Sequence, residues 1–348
     1  MAMDSSSGSA VVVVFECDCF RLYSDGHVER TGGMDTVPAG FDAATGVTSK
    51  DVVIDAATGL AARLYLPAIQ TAATTKLPVL VIFHGGYFVV GSPGNHNFHG
   101  YVNSLVASAR VVAVSVDYRL APEHPLPAAY DDAWPALTWA ASGAEPWLAD
   151  HGDLGRVFVA GASAGANVAH NTAVAAGASA THAATPALAA RIEGVILLHP
   201  SFCGEWRLED EVEEFWQANK KRWAVIFPGA TDGLDDPRIN PMAAAGEPGL
   251  TKLAGKRLFV STASKDPRAP RGRAYCEAVR ASGWPGKVEW FETEGEGHCF
   301  FVSDHASRES VALMDRVVAF VAGHSGQAQR KPTKTVAPDK SEHTRRPN

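Results

Sequence analysis

Short apolar runs alternate along this chain with stretches of helical length that are rich in alanine and leucine. The runs lack polar alternation, which is typical of strands that are covered on both faces in a parallel sheet. The runs are VLVIF (79–83), VVAVSVD (111–117), RVFVAG (156–161), GVILLHP (194–200), RLFVSTA (257–263) and KVEWFE (287–292). The predicted helices span residues 99–108, 127–141, 164–176, 270–282 and 307–321. This pattern predicts an α/β fold with a mostly parallel sheet flanked by helices.

Three segments depart from this alternation. Residues 47–67 hold two strand-like runs joined by AATG, which favours an antiparallel hairpin at the edge of the sheet. Residues 201–248 separate two predicted strands by far more than an ordinary connection needs. We interpret 201–248 as a cap insertion within a domain of residues 46–323, and residues 1–45 as an N-terminal lid segment over the same edge. The alternative is a packing insertion without a functional role.

Composition limits the partners that the chain is expected to have. The 348 residues are 46% hydrophobic and 20% charged, which is typical of a globular protein with a large core. A formal net charge of -7 argues against a nucleic-acid surface, which needs a clustered basic patch. The cysteines are scattered and odd in number, so they predict neither a disulfide framework nor a metal site. These cysteines are Cys17, Cys19, Cys203, Cys276 and Cys299. We expect no metal, no cofactor and a reducing compartment.

The two ends of the chain carry predictions about location. The N-terminal run SAVVVVFECDCF is too short to span a membrane and is not preceded by the basic residues of a secretory signal. We therefore expect a cytoplasmic protein with no membrane partner. Residues 324–348 are polar, basic and contain proline, which predicts a disordered tail. Nothing in the sequence indicates the oligomeric state.

A lone serine, Ser163, lies in the stretch GASAG between a predicted strand and a predicted helix. In that context the pattern G-x-S-x-G forms a strained turn that presents the serine hydroxyl above the sheet, near a helix N-terminus. The alternative is a tight strand-to-helix connection that happens to contain a hydroxyl. Three fixed small positions are a weak signal alone, so the interpretation depends on whether the chain supplies a base and an acid.

The chain supplies both partners in the order that this chemistry requires. Asp266 follows the predicted strand 257–263, and His298 follows the predicted strand 287–292. Ser, then Asp, then His is the order found when the acid and base lie on loops after later strands. Taken alone, Asp266 is more typical of a helix cap and His298 of an exposed loop residue. The rival acids lie inside the cap segment and are poorer candidates. They are Asp232, Asp235 and Asp236.

Backbone donors for a developing oxyanion are predicted in FHGGYFVVGS (83–92), directly after the strand 79–83. Its paired glycines allow amide N–H groups to approach a reacting carbonyl. We assign an oxyanion hole to the amides of Gly85, Gly86 and Ala164. The alternative, a glycine turn that ends a strand, loses weight once Ser163, Asp266 and His298 are considered together.

These residues resemble the plant carboxylesterases, which belong to the hormone-sensitive-lipase branch of the α/β-hydrolases and include the gibberellin receptors. The resemblance spans about residues 45 to 321. It implies an α/β-hydrolase sheet of about eight strands, a helical lid built partly from the N-terminus, and Ser163, Asp266 and His298 as catalytic triad. Its most specific motifs are HGGYF (84–88), VSVDYRLAPEHPLPAAYDD (114–132), GASAGANVAHN (161–171) and SGWPGKVEWFETEGEGHCFF (282–301).

Two positions depart from the family pattern. Tyr87 stands where the oxyanion stretch usually has a third glycine, and Ala162 stands where an aspartate usually precedes the nucleophile. Tyr87 keeps its backbone N–H, so it narrows the entrance without removing a donor. Ala162 removes a carboxylate beside Ser163. The charges of DYRLAPEHPLPAAYDD (117–132) are interpreted as ion pairs and caps that fix a loop, rather than as catalytic groups.

The sequence thus predicts a serine carboxylesterase that hydrolyses small carboxylic esters through an acyl-serine intermediate. One alternative is a non-catalytic binder like the gibberellin receptors, which replace the histidine; His298 argues against it. A second alternative is a lyase like the hydroxyisoflavanone dehydratases. The substrate pocket is predicted to involve Tyr87, Phe88, Phe202 and Phe20.

Overall fold

A large mixed sheet forms the centre of the protein. The computed structural model describes residues 10–69, 75–179, 186–243 and 247–324. In chain order the strands are β1 (Val13–Cys17), β2 (Phe20–Tyr23), β3 (Val28–Arg30), β4 (Phe41–Asp42), β5 (Val47–Asp55), β6 (Leu60–Leu66), β7 (Leu77–Phe83), β8 (Val112–Asp117), β9 (Gly152–Ala162), β10 (Ile192–Leu198), β11 (Arg257–Ala263) and β12 (Lys287–Thr293).

The helices lie between and after these strands. They are α1 (His96–Ala109), α2 (Ala128–Ser142), α3 (Pro146–His151), α4 (Ala164–Ser179), α5 (Pro186–Arg191), α6 (Glu213–Ile226), α7 (Glu247–Thr251), α8 (Ala269–Ala281), α9 (Phe300–Ser303) and α10 (Arg308–Ala322). Side chains cap several of them. Asn95 accepts a hydrogen bond from the amide of Phe98 at the start of α1, and Ser307 does the same for Ser310 at the start of α10.

The central sheet has nine strands among the described residues, in the order β12-β11-β10-β9-β7-β8-β6-β5-β4. The strands from β12 to β8 are parallel to one another. The strands β6, β5 and β4 add to this group in antiparallel fashion. The predicted α/β class with a mostly parallel sheet is confirmed. The predicted hairpin is β5–β6, and β4 pairs outside it at the edge.

The continuous apolar runs arise because both faces of the sheet are buried. In β7, Val81 and Phe83 contact a core that includes residues of α2, α4 and α8. The alternate residue Ile82 contacts a second core, which includes residues of α1 and α10. Since neither face meets water, no position in the strand requires a polar side chain. The same division holds in β9, where Val159 and Phe158 face opposite cores.

The N-terminal segment differs from the helical contribution that the family resemblance implied. Its described residues form a separate antiparallel sheet, in the order β1-β2-β3. Phe20 is fully buried from this sheet into the first core, and Arg30 donates hydrogen bonds to the carbonyls of Val89 and Ala121. A β-branched run such as VVVV favours a strand over a helix, which accounts for the difference. Residues 1–9 and 325–348, the latter holding nearly all of the predicted tail, lie outside the described residues.

The charged run after β8 fixes a loop, as its prolines and charges suggested. Asp132 accepts hydrogen bonds from the backbone amide of Arg119 and from its guanidinium, at 2.8–3.1 Å. Asp132 is buried, so this pairing holds the chain between β8 and α2 in place.

Candidate active site

The turn between β9 and α4 presents Ser163 in a strained conformation. Its φ of +54° lies in the left-handed region, which costs free energy for any residue except glycine. The flanking glycines have a steric reason. A Cβ on Gly161 would lie 2.0 Å from the carbonyl oxygen of Gly165, and a Cβ on Gly165 would lie 2.1 Å from that of Phe83. The turn therefore closes only with glycine at both positions.

Ser163, His298 and Asp266 form a continuous series of hydrogen bonds. The Oγ of Ser163 lies 2.8 Å from Nε2 of His298, and Nδ1 of His298 lies 2.6 Å from Oδ2 of Asp266. The three residues are 135 and 32 positions apart in sequence, and they meet because each follows the carboxyl end of a parallel strand. This arrangement allows the imidazole to accept the serine proton while the carboxylate stabilises the resulting cation.

The electrostatics of this series keep the base uncharged. Burial, together with the positive charge of Arg268, lowers the pKa of His298 to about 4 even though Asp266 opposes the shift. Burial alone would raise the pKa of Asp266, but contacts with His199 and His298 hold it well below its usual range. At neutral pH, Asp266 is therefore ionised and His298 is neutral, which is the state that a general base requires.

The loop after β7 brings the predicted oxyanion donors to the serine. Gly85 and Gly86 line one cavity with Ser163, and a Cβ on Gly85 would lie 3.2 Å from the Cβ of Ser163. Gly86 has a φ of +112°, and a Cβ there would lie 2.0 Å from the carbonyl oxygen of Val90. Ala164 begins α4, so its amide is one of the free donors at that helix N-terminus. The backbone conformation at Gly86 thus requires glycine.

His84 and Tyr118 hold this loop from beneath. The ring of His84 stacks on that of Tyr118 with 4.3 Å between centroids, and the Tyr118 hydroxyl donates to the carbonyl of His84 at 2.7 Å. The Nδ1 of His84 lies 2.7 Å from the carbonyl oxygen of Gly85. Burial lowers the pKa of His84 to about 4. The loop is therefore supported by neutral, closely packed groups.

A cavity of about 210 Å³ opens in front of Ser163. The cavity has room for a small acyl or alcohol group beside Ser163. Of the predicted pocket residues, Tyr87 lines the cavity. Further lining residues are Asn95, Phe98, Val90, Ala162, Cys299 and Val302.

The other three predicted pocket residues do not line this cavity. Phe88 packs against Trp223, Phe202 packs against Tyr275, and Phe20 is enclosed in the same core. All three are buried. Phe88 also contacts the ring of Tyr130. Hydrophobicity near the motif did not distinguish a core position from a lining position.

The two departures from the family pattern have different structural meanings. Tyr87 has a φ of +57°, a conformation that glycine adopts without a penalty, which accounts for the glycine usual at this position. Ala162 ends β9, is buried in the second core and also lines the cavity. A methyl group there leaves the wall beside Ser163 apolar.

His199 is a site residue that the sequence reasoning missed. It follows β10 directly, and its Nδ1 lies 3.4 Å from Oδ2 of Asp266 and accepts the amide of Cys299 at 3.0 Å. Its position at the carboxyl end of a strand is the same signal that identified Asp266 and His298. Cys299, adjacent in sequence to His298, has its Sγ 3.6 Å from Nε2 of that histidine.

Alternative chemistries find weaker support among the residues described. Asp235 and Asp236, two of the rival acids, bind Asn240 and Arg238 within the segment 201–248. His199, His298 and Cys299 place possible metal-ligand atoms within 4.8 Å of one another. Both ring nitrogens of His298 are already engaged by Ser163 and Asp266, so a metal ion would have to displace that hydrogen bonding.

Three plant proteins are similar to this chain over most of its length. A tuliposide A-converting enzyme b1 of Tulipa gesneriana, named as amyloplastic, is 44% identical and covers 87% of this chain and 78% of its own. A 2-hydroxyisoflavanone dehydratase of Glycyrrhiza echinata is 41% identical, covering 86% and 93%. A probable carboxylesterase 3 of Arabidopsis thaliana is 35% identical, covering 86% and 95%.

The amyloplastic relative contradicts the predicted cytoplasmic location, and that prediction is wrong. Import into a plastid uses a serine-rich, acid-poor segment that is neither a membrane span nor a secretory signal. The lack of those two features therefore does not indicate a cytoplasmic location. Among the residues described, no helix combines the length and apolar character needed to cross a bilayer.

Solved structures and a family model agree on the fold. A hyperthermophilic esterase from the archaeon Pyrobaculum calidifontis superposes with a TM-score of 0.65 at 27% identity, covering 79% of this chain and 85% of that one. The model of an alpha/beta hydrolase family matches residues 80–302, which hold Ser163, Asp266 and His298. The predicted α/β-hydrolase fold is confirmed, and the chain belongs to the α/β-hydrolase family, in the esterase-like group that includes the plant carboxylesterases.

Proposed function

We propose that this protein is a serine carboxylesterase that hydrolyses small carboxylic esters through an acyl-serine intermediate. The observation that carries the proposal is the hydrogen-bonded series from Ser163 Oγ through His298 to Asp266, at 2.8 Å and 2.6 Å. Membership of an esterase-like family agrees with it. Each group lies at the distance that proton transfer requires before any substrate is bound.

Acylation begins when the Oγ of Ser163 attacks the ester carbonyl carbon and Nε2 of His298 takes its proton. The carbonyl oxygen becomes an oxyanion, which the amides of Gly85, Gly86 and Ala164 stabilise. Asp266 stabilises the imidazolium without taking the proton. When the C–O bond breaks, His298 returns the proton to the leaving alkoxide. The alcohol departs and the acyl group stays on Ser163.

Deacylation repeats these steps with water as the nucleophile. His298 takes a proton from the water, whose oxygen attacks the acyl carbon and forms a second oxyanion at the same amides. Collapse of this intermediate returns the proton to Ser163 Oγ and releases the carboxylic acid. The cavity of about 210 Å³ favours short acyl groups over long ones.

Kinetics on matched variants test this proposal. Ser163→Ala and His298→Ala should each lower kcat for p-nitrophenyl acetate by roughly four to six orders of magnitude, and the double variant should be little worse than either. Ser303→Ala, an exposed serine on α9 outside the cavity, is the control and should retain the full rate. A fluorophosphonate should modify Ser163 in the wild type. Losses in kcat that add up in the double variant, or labelling at another residue, would contradict the proposal that Ser163 and His298 act together.

The relative that is a 2-hydroxyisoflavanone dehydratase supports a second candidate, a lyase that uses the same cavity. The two candidates differ in what Ser163 does, because dehydration needs a base and no acyl-enzyme. An acyl adduct on Ser163 after a rapid quench with p-nitrophenyl acetate favours the esterase. Elimination of water from a hydroxyisoflavanone that survives Ser163→Ala favours the lyase. Tight binding of a small hydrophobic acid without any turnover favours a receptor.

A further inference from the structure

Two buried arginines lie beside Tyr87, at the wall of the cavity. The Cζ of Arg222 lies 3.9 Å from the centroid of the Tyr87 ring, and the Cζ of Arg268 lies 5.0 Å from it. Arg222 belongs to α6 in the cap, whereas Arg268 directly precedes α8, two residues after Asp266. Their exposed fractions are only 6% and 4%. Two cations from separate segments therefore converge on one aromatic ring.

The guanidinium groups of these arginines are poorly satisfied. The Nε and Nη1 of Arg222, and the Nε and Nη2 of Arg268, are buried and make no hydrogen bond within the described part of the chain. Stacking on Tyr87, and on Phe215 for Arg268, offsets some of the lost hydration. It cannot replace hydrogen bonds, because buried N–H donors of a charged group cost more when unpaired than neutral ones.

The neighbouring Arg271 shows what a satisfied arginine looks like in the same region. Its Nε lies 2.6 Å from Glu211, and its Nη2 lies 2.9 Å from Glu211 and 2.6 Å from the carbonyl of Trp206. Arg271 and Glu211 are both 3% exposed at their side chains, so this pair is as buried as Arg222 and Arg268. One buried arginine in this region thus has a carboxylate partner, whereas Arg222 and Arg268 have buried N–H groups without a hydrogen-bond acceptor among the described residues.

The charges around Tyr87 do not balance. Among the described residues, no carboxylate lies within ion-pair distance of Arg222, and Arg268 has only Asp266, at 4.0 Å. Asp266 is also bonded to His298, which is neutral at ordinary pH. Two guanidinium charges therefore face one carboxylate, and the excess is a single positive charge. One anionic group would neutralise it.

The position of this charge relates it to the site. Tyr87 lines the cavity with Ser163 and His298, while its ring contacts both arginines. Arg268 is also near enough to His298 to lower the pKa of that histidine. Tyr87 thus joins the cavity to the two guanidinium groups, which do not line the cavity themselves.

We propose that Arg222 and Arg268 form an anion subsite beside Tyr87, and that the preferred substrates are esters whose acyl or alcohol part carries a carboxylate. The planar guanidinium fork suits a carboxylate, to which each arginine can donate two parallel hydrogen bonds. This substrate class rests on the proposed esterase function. The binding of the anion itself does not, because it needs no intact nucleophile.

Matched esters test the proposal on the acyl side and on the alcohol side. Mono-p-nitrophenyl glutarate carries a carboxylate where p-nitrophenyl valerate has a methyl group, and 4-carboxyphenyl acetate is compared with phenyl acetate. In at least one pair, the ratio of kcat/KM for the charged ester over the neutral one should fall roughly tenfold to hundredfold in Arg222→Met and in Arg268→Met. The pair that responds identifies which part of the substrate reaches the subsite.

Two further variants separate charge from packing. Arg222→Lys keeps the cation and should retain part of the preference, whereas Arg222→Met keeps only the apolar stem. Arg156→Met is the control: Arg156 lies in the amino-terminal half of β9, is 40% exposed at its side chain and pairs with Glu193. Its ratio should equal that of the wild type. Equal ratios in all variants, for both pairs of esters, would overturn the proposal.

Thermal shifts separate failure of the subsite from failure of the esterase function. Glutarate should raise the Tm of Ser163→Ala, which cannot turn over substrate, and the rise should be lost when Arg222→Met is added. Without glutarate, Arg222→Met should unfold at the same temperature as the wild type or higher, since it removes a buried unpaired charge. A stabilisation that persists in Arg222→Met, or none at all, overturns the subsite. Stabilisation without any ester turnover keeps the subsite and rejects the esterase.

Discussion

The floor of the cavity and its rim are held in place by different kinds of contact. On the floor, Ser163 and Gly86 are positioned by backbone atoms: the amide of Ser163 donates to Leu198, and the carbonyl of Gly86 accepts the amides of Val89 and Val90. On the rim, Tyr87 is positioned by side chains from the cap and from the loop before α8. The backbone packing at the floor leaves no space for larger side chains, whereas the side chains around Tyr87 at the rim can be substituted.

This difference predicts which property each substitution affects. A substitution at the floor displaces the ends of strands in the central sheet. It therefore alters the free energy of unfolding as well as the catalytic rate. A change on the rim alters what the cavity accepts. At the floor, even a substitution that adds little volume should change the free energy of unfolding strongly. At the rim, substitutions that change the volume much more should have a smaller effect on it.

The largest expected effect comes from adding one methyl group to the floor. In Gly165→Ala the new Cβ would lie 2.1 Å and 2.4 Å from the backbone carbonyl oxygens of Phe83 and His84, which cannot move without shifting the end of β7. We expect a loss of more than about 4 kcal/mol in the free energy of unfolding, measured by urea denaturation. Gly229→Ala, in the cap with no atom within 4 Å, is the control. Similar stabilities for the two variants would contradict the steric argument.

The next effect compares two adjacent aromatic residues, of which Tyr87 lines the cavity and Phe88 is buried in the core. Phe88 is buried against Trp223, so Phe88→Ala should cost about 3 kcal/mol in the free energy of unfolding. Tyr87 lines the cavity, so Tyr87→Ala should cost less and should raise kcat/KM for longer p-nitrophenyl esters relative to the acetate. Denaturation and a series of acyl lengths measure both. An altered acyl preference in Phe88→Ala with none in Tyr87→Ala would reverse our assignment.

The sequence predicted the floor because the information there is local. Polar residues or glycines follow the ends of these strands within a few residues. The order of the strands along the chain therefore predicted that Ser163, Asp266 and His298 lie at one edge of a parallel sheet. The turn at Ser163 also requires small neighbours for steric reasons, and these are visible as a motif. His199 also follows the carboxyl end of a strand, β10. Since Ser163, His298 and Asp266 are complete without it, this pattern did not select His199.

The rim was not predictable in this way because its contacts join distant parts of the chain. Arg222 and Arg268 meet at Tyr87 although at least 46 positions separate any two of them. Phe20, Phe88 and Phe202 were predicted to contribute to the pocket, yet a buried aromatic side chain can equally well belong to the core. Only tertiary packing decides such positions.

The pH dependence of turnover measures how strongly the positive charge of Arg268 at the rim affects the pKa of His298. Because the pKa of His298 is lowered to about 4 and the neutral imidazole is the base, kcat/KM should stay level from pH 7 to about 5 and then fall. Below the midpoint the loss should approach tenfold per pH unit, equal to about 1.4 kcal/mol. Tryptophan fluorescence at each pH checks that the protein remains folded.

Removing the positive charge of Arg268 should shift this profile. Arg268 lowers the pKa of His298, so Arg268→Met should raise that pKa and move the fall in kcat/KM to higher pH. Arg156→Met, a change in the amino-terminal half of β9, should leave the midpoint unchanged. A midpoint near the ordinary histidine value in the wild type would show that His298 is more hydrated than its burial indicates.

The smallest expected effect concerns the contact between the N-terminal sheet and the main domain. Arg30 donates to both oxygens of Glu123, at 2.6 Å and 2.7 Å, and to the carbonyl of Val89 in the loop beside Tyr87. The Glu123 side chain is 46% exposed, so solvent screens the pair, and Glu123→Gln should cost less than about 1 kcal/mol in the free energy of unfolding.

The sign of its pH dependence identifies the cause of that cost. The hydrogen bond from Arg30 lowers the pKa of Glu123 in the folded protein, so the stabilisation is present above the ordinary glutamate pKa and is lost as the pH falls through the lowered value. Urea denaturation at neutral pH should therefore separate wild type from Glu123→Gln, and denaturation near pH 3 should not. Glu209→Gln, an exposed glutamate of the cap, is the control at both values. A difference of constant size across this range would mean that packing, and not charge, attaches the N-terminal sheet beside the rim.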